Sequence, residues 1–130
     1  MKRLALLIAV ALAAGLGGCN SSSSPPVVQA PPAPPDPATL GVSGGVLGSK
    51  LTEADRRTAG EAQLAAAEAG ERKSWRGKQG TFGFVEPGPE GSRAEGTCRE
   101  YTHTIYIDGR PQSGKGLACR GPAGTWRIVS

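Results

Sequence analysis

Residues 97–120 read TCREYTHTIYIDGRPQSGKGLACR, and the way this stretch folds back on itself decides the architecture. From Thr97 to Ile107 the composition is Thr, Tyr and Ile, side chains that suit a pleated, half-buried surface. Asp108-Gly109 tolerates the left-handed backbone of a two-residue hairpin turn, and Ser113–Arg120 supplies the returning strand. With Ile107 opposite Arg110, counting back from the turn brings Cys98 opposite Cys119. In that register the cysteines occupy a non-hydrogen-bonded pair, where side chains approach most closely, and Pro111 faces Tyr106 at another such site, where its missing N–H costs no bond within the pair. A bridge closing a loop of about 20 residues would add roughly 3 kcal/mol. Slippage in the glycine-rich returning strand would break the register. The rival reading is a catalytic or metal-binding thiol pair, but two thiols with His103, the single histidine, do not complete an ordinary four-ligand zinc site.

Working outward, Thr52-Glu53-Ala54-Asp55 opens a helix. Thr52 is a suitable N-cap, Asp55 sits at the capping-box position and Glu53 favours the positive helix end. Ala54, Thr58, Ala62, Ala65, Ala66 and Ala69 recur at spacings of three and four, a slim face for packing on a sheet. Gly60 weakens the helix by about 1 kcal/mol relative to Ala, and Gly70 is placed to stop it. The period then changes to two. Lys73–Arg76 carries Trp75, residues 77–80 turn, and Thr81–Val85 puts Phe82 and Phe84 on one face. Residues 86–96, with two prolines and several glycines, read as a loop. After the hairpin, residues 121–124 turn and Thr125–Val129 closes the chain. The expected fold is α+β: one helix packed on a roughly four-stranded antiparallel sheet.

The N-terminal third is of another kind. Lys2 and Arg3 precede LALLIAVALAAGL, residues 4–16, too short to span a bilayer and suited to a signal-peptide core. Leu16-Gly17-Gly18-Cys19 resembles the bacterial lipobox, so residues 1–18 read as an export signal and Cys19 as the acylated first residue. An ordinary secretory signal with an incidental cysteine is the alternative. Asn20 is not the Asp of the familiar inner-membrane retention signal, which points to the outer membrane of a two-membrane bacterium. Residues 20–37, NSSSSPPVVQAPPAPPDP, contain nothing to form a core. Ser and clustered Pro make a tether, reaching roughly 55 Å at about 3.1 Å per residue; a proline-motif ligand is the functional alternative. Residues 40–49 hold Gly41/Gly45 and Gly44/Gly48, a spacing that on a helix admits a close neighbour but that serves a flexible lead-in equally well. The organisation expected is therefore 1–18 signal, 19–39 lipidated cysteine and tether, 40–49 short glycine-zipper-like segment, and 50–130 the small α+β domain.

The formal charge of the 130 residues is +4. Removing Lys2 and Arg3 leaves 13 basic and 11 acidic side chains, too even a balance for a nucleic-acid partner. Arg56, Arg57, Arg72, Lys73, Arg76 and Lys78 group loosely, as a solvated face or a binding patch. Catalysis needs a nucleophile, a base and an orienting group. His103 shares a face with Tyr101 and Ile105, which suits a structural role better than a base. The carboxylates single out no glycosidase pair, and no phosphate-cradling loop is present. Trp75, Trp126, Tyr101 and Tyr106 serve either the core of this aromatic-poor domain or a sugar- or peptide-binding surface. Arg99, opposite Ala118, and Arg120 serve packing or contact with an anionic glycan. The candidate binding residues are thus Trp75, Arg99, Tyr101 and Trp126, with no cofactor, metal or small-molecule substrate implied.

The string Leu51-Thr52-Glu53-Ala54-Asp55-Arg56, Trp75, Gly80-Thr81-Phe82-Gly83, Cys98-Arg99-Glu100-Tyr101, Gly116-Leu117-Ala118-Cys119-Arg120 and Gly124-Thr125-Trp126 resembles the C-terminal domain of the rickettsial seventeen-kilodalton surface antigen family. The resemblance covers about residue 40 to the end. It implies a lipid-anchored outer-membrane or surface protein. Members of that family carry a longer glycine zipper than residues 41–48 supply. The function expected is a non-catalytic envelope lipoprotein, palmitate-bearing at Cys19 and held to the membrane by its lipid, with a structural or interaction role. The alternative is a periplasmic module that binds or inhibits a protein or peptidoglycan fragment.

Overall fold

A computed structural model describes residues 30–33, 36 and 39–130. The export segment, Cys19 and most of the proline-rich stretch lie outside the described residues. The chain divides into two units, Met1–Pro32 and Ala33–Ser130, and the second contains every element below.

Its elements run α1 (Gly41–Gly44), a 3₁₀ turn (Gly48–Lys50), α2 (Glu53–Ala69), then β1 (Lys73–Arg76), β2 (Phe82–Arg93), β3 (Gly96–Ile107), β4 (Arg110–Arg120) and β5 (Trp126–Ile128). The strands form one antiparallel sheet in sequence order. The fold is mixed helix and sheet as expected, but the sheet has five strands rather than four. Short β1 and β5 both complete it, because each contributes alternate side chains to the core, Trp75 from one and Trp126 and Ile128 from the other.

The central hairpin has the register read from sequence: Ile107 faces Arg110, Tyr106 faces Pro111, Arg99 faces Ala118 and Cys98 faces Cys119. Cys98 and Cys119 form a disulfide, with Cα atoms 4.0 Å apart, the short separation of a non-hydrogen-bonded pair. Asp108 adopts φ 52° and Gly109 φ 73°, as a two-residue hairpin turn of this kind requires.

The stretch read as a loop, residues 86–96, is mostly strand. β2 continues to Arg93 and pairs with β3 on both sides of a bulge between Pro87 and Glu90. Its prolines are tolerated because β1 covers only Phe82–Val85. Beyond Val85, β2 is an edge, and Pro87 and Pro89 sit where a missing N–H breaks no second ladder.

Helix α2 begins and ends as its sequence dictates. Thr52 Oγ1 accepts the Asp55 N–H at 3.2 Å, and Gly70 takes a left-handed conformation, φ 67°, that returns its N–H to Ala66 O. The Asp55 carboxylate does not close the capping box: Oδ1 accepts the Lys78 N–H at 2.9 Å, tying the β1–β2 turn to the start of α2. The buried face also differs from the alanine stripe. Asp55, Ala59, Gly60, Ala62, Gln63, Ala66 and Ala67 are buried, while Ala54 and Ala69 are exposed. Alanines distributed all round a helix do not fix its rotation; two polar side chains with partners in the core do.

Residues 40–50 pack on this unit. Val42 joins the core, with Leu40 and Leu47 against it. The glycines of β4 give them room: a Cβ on Gly114 would lie 3.0 Å from Val42 Cγ1, and one on Gly116 would enter the Tyr101 ring.

Because the bridge lies beside the turn-closed hairpin of a small core, replacing Cys98 and Cys119 together by Ala is expected to lower unfolding free energy by roughly 3 kcal/mol. Urea titration of the oxidised parent against the double variant measures this, and equal midpoints would contradict it.

Candidate functional site

The sheet has two unlike faces, since successive side chains alternate. The face under α2 carries Trp75, Val85, Tyr101, His103 and Ile105, all buried. His103 is fully enclosed there. Trp75 Nε1 donates to His103 Nε2 at 2.8 Å. Indole N–H is only a donor, so Nε2 is the acceptor and the ring proton sits on Nδ1. That N–H faces Gln63 Oε1 at 3.0 Å. The same oxygen accepts the Ser43 N–H at 2.8 Å. Gln63 Nε2 donates to Ser43 Oγ at 2.9 Å and to Leu40 O at 3.2 Å. All four hydrogen-bonding positions of the Gln63 amide are therefore used.

Burial pushes the His103 imidazole down to a pKa of about 4, because the charged form is desolvated. Protonated, Nε2 would also present a hydrogen to the Trp75 N–H. Both ring nitrogens are engaged and the ring is 0% exposed, so in this conformation it is not placed to take a proton from a substrate.

The other sequence candidates are likewise packed inward. Trp75 and Trp126 are 6% and 8% exposed, and Tyr101 is 1% exposed. The Tyr101 hydroxyl donates to Ser130 O at 3.3 Å, and burial pushes its pKa up to about 12. Arg99 Nη2 lies 2.6 Å from Glu90 Oε1. Its guanidinium carbon is 5.1 Å from the Trp126 ring centre, with Arg120 at 5.6 Å from the same ring. A Cβ on Gly70 would collide with the Arg99 guanidinium, so this cation lies at the C-terminal end of α2, where the helix dipole is negative. The structure thus gathers Arg99, Arg120 and Trp126 into one packed cluster and leaves Trp75 and Tyr101 apart from it. Glu95 comes near Cys98 and Cys119, but both sulfurs are joined to each other, and metal ligation requires the thiolate.

The opposite face, away from α2, is where rings meet solvent. One row across the strands runs Arg76, Phe82, Tyr106, Pro111, and the next runs Ser74, Phe84, Thr104, Ser113. Phe82 and Tyr106 stack, with centres 4.5 Å apart and planes 9° apart. Arg72 lies over Phe84 at 3.7 Å and 3.7 Å from Glu86. Phe82 is 36% exposed. Arg72, Ser74, Arg76, Phe82, Phe84 and Tyr106 line an open cleft of about 560 Å³.

Of the four aromatics considered from sequence, Tyr106 projects from this face, and Trp75, itself 6% exposed, borders the cleft. The signal for the rest was the period itself. Phe82 and Phe84 share one phase of β2, and the hairpin puts Tyr106 in the opposite phase from Tyr101 and His103. Aromatics on both faces of a strand mean that one set is outside the core.

These features define a class of protein: a small, disulfide-clasped helix-on-sheet domain whose available chemistry is a surface of rings and arginines. Curated proteins named 17 kDa surface antigen are similar to it. The one from Rickettsia bellii (strain RML369-C) is 36% identical over 89 residues, 65% of this chain and 56% of the relative. That of Rickettsia conorii (strain ATCC VR-613 / Malish 7) is 39% identical over 85 residues, 62% and 54% respectively. That of Rickettsia prowazekii (strain Madrid E) is 38% identical over 83 residues, 60% and 52%. The chain spans about half the length of the curated relatives it matches. No family model matches it, and no solved structure matches. No helix among the described residues is long and apolar enough to cross a membrane.

The low His103 pKa has a definite consequence for stability. The group is depressed relative to an unfolded value near 6.5, so its contribution is complete above that pH and is lost as pH falls towards 4. The expected loss is roughly 3 kcal/mol. Unfolding titrations from pH 7 to pH 4 should show this fall, and a His103→Gln variant, which has no imidazole to protonate, should show a markedly smaller one. Equal slopes in the two proteins would contradict the assignment.

Proposed function

We propose that this chain is a lipid-anchored lipoprotein of the outer membrane, acting in the cell envelope through contact rather than catalysis. In this reading Cys19 carries the acyl chains, including palmitate, and the Ser/Pro-rich stretch spaces the domain from the bilayer. Two or three chains give far firmer attachment than one. The observation that carries the non-catalytic part is the enclosure of His103, the single histidine: its nitrogens hold Trp75 and Gln63 in place, while the rings that meet solvent lie on the other face. The relatives are named surface antigen, which fits an exposed envelope position. A second reading, a binding or inhibitor module for a protein or peptidoglycan fragment, takes its support from the cleft beside Phe82 and Tyr106.

Anchoring is tested in cells fed an alkyne-bearing palmitate. The parent chain is expected to take up the label and to fractionate with membranes, and Cys19→Ser to take up none. An unlabelled parent, or a labelled variant, would overturn the lipid assignment.

A further inference from the structure

The cleft on the outer sheet face lies against β1, the four-residue edge strand. β1 pairs with β2 alone, and among the described residues no backbone hydrogen bond reaches its other side. An open edge offers a ladder of backbone groups to an incoming extended chain. Side chains of such a chain alternate between faces, so every second one would fall on the outer face beside Arg72, Ser74 and Arg76.

The charges there choose among occupants. Arg72, Lys73 and Arg76 stand along this edge. Glu86 lies 3.7 Å from Arg72 and Glu71 lies 3.5 Å from Lys73, whereas Arg76 is exposed with no carboxylate within 4.0 Å among the described residues. A second copy pairing antiparallel along the same edge about Ser74 would bring Arg72 opposite Arg76 on the outer face, like against like. The rings choose further. Sugars stack on open ring faces, but Phe82 and Tyr106 turn a face to each other and Arg72 covers Phe84. Ring edges beside guanidinium groups suit carboxylates and aliphatic side chains.

We propose that this edge and cleft bind an extended acidic peptide segment of another envelope protein. The segment adds a strand to β1 and sets carboxylates from alternate residues on Arg76 and Arg72, on the outer face. The proposal deepens the contact role above, but its test does not involve Cys19, so failure here leaves the lipid anchor standing and failure of the anchor leaves this site standing.

The experiment uses the full chain in detergent and a fluorescent heptapeptide of alternating Glu and Val. Anisotropy should show saturable binding. A Lys/Val peptide, and a Glu/Val peptide N-methylated at alternate residues, should each bind at least about tenfold more weakly. Arg72→Glu with Arg76→Glu should weaken binding of the Glu/Val peptide by a similar factor while circular dichroism stays unchanged, and Arg76→Lys should fall between. Amides of residues 73–76 should gain protection from hydrogen exchange on binding. Equal binding of the Glu and Lys peptides, or binding indifferent to N-methylation, would overturn the proposal without recourse to any variant. Binding of oligogalacturonate in place of the peptide, or pairing of the chain with itself through β1, would overturn it by naming a different occupant.

Discussion

The hydrogen bonds that join Trp75, His103, Gln63 and Ser43 hold the domain in its arrangement. They connect β1, β3, α2 and α1 through four side chains in a core otherwise made of alanines, a few valines and isoleucines, and the rings of Tyr101 and Trp126. Buried polar groups are costly unless each donor and acceptor is met. Here the amide of Gln63 meets two acceptors and two donors, and the imidazole meets one of each. That completeness sets the rotation of α2, seats the strand that carries Trp75 and draws residues 40–43 onto the sheet. An alanine-rich helix in a core this small has little shape with which to select one register. The polar chain supplies the selection that bulky side chains give in a larger core.

With the inner face settled in this way, the outer face follows from the pleat. Every residue that alternates with Trp75, Val85, Tyr101, His103 and Ile105 must point away from α2. That turns Arg76, Phe82, Phe84 and Tyr106 to the outer face, beside the short, basic β1 at the sheet's edge. Recognition chemistry in this domain is thus the geometrical consequence of where its core is. The disulfide lies at the far end of the same hairpin from the Asp108-Gly109 turn, so the two strands carrying these faces are fixed at both ends and cannot slide past one another.

Much of this architecture was legible along the chain. The hairpin register follows from a two-residue turn and a period of two, and it brings the cysteines together. The bounds of α2 followed from Thr52 and Gly70. The rest was hidden for specific reasons. Residues 86–96 resemble a loop because their prolines and glycines do not show how far the neighbouring strand extends; β1 pairs with β2 only as far as Val85, and the prolines lie beyond it. The buried face of α2 differs from the alanine stripe because alanine fits either side of a helix, and nothing within the segment marks Asp55 and Gln63 as buried. Trp75, Arg99, Tyr101 and Trp126 were candidates on residue type alone, and residue type does not say which side of a sheet a ring is on.

Local conformation is written along the chain: where it turns, where its helix is capped, and which cysteines a fixed register can join, since each rests on neighbours a few residues apart or on simple counting from a turn. Which polar side chains are buried and which aromatics are exposed is settled by the assembled fold. Those outcomes depend on residues 20 to 40 positions apart meeting as partners, as Gln63 meets Ser43 and His103, and satisfying a buried donor is a property of the assembled core that no single segment carries.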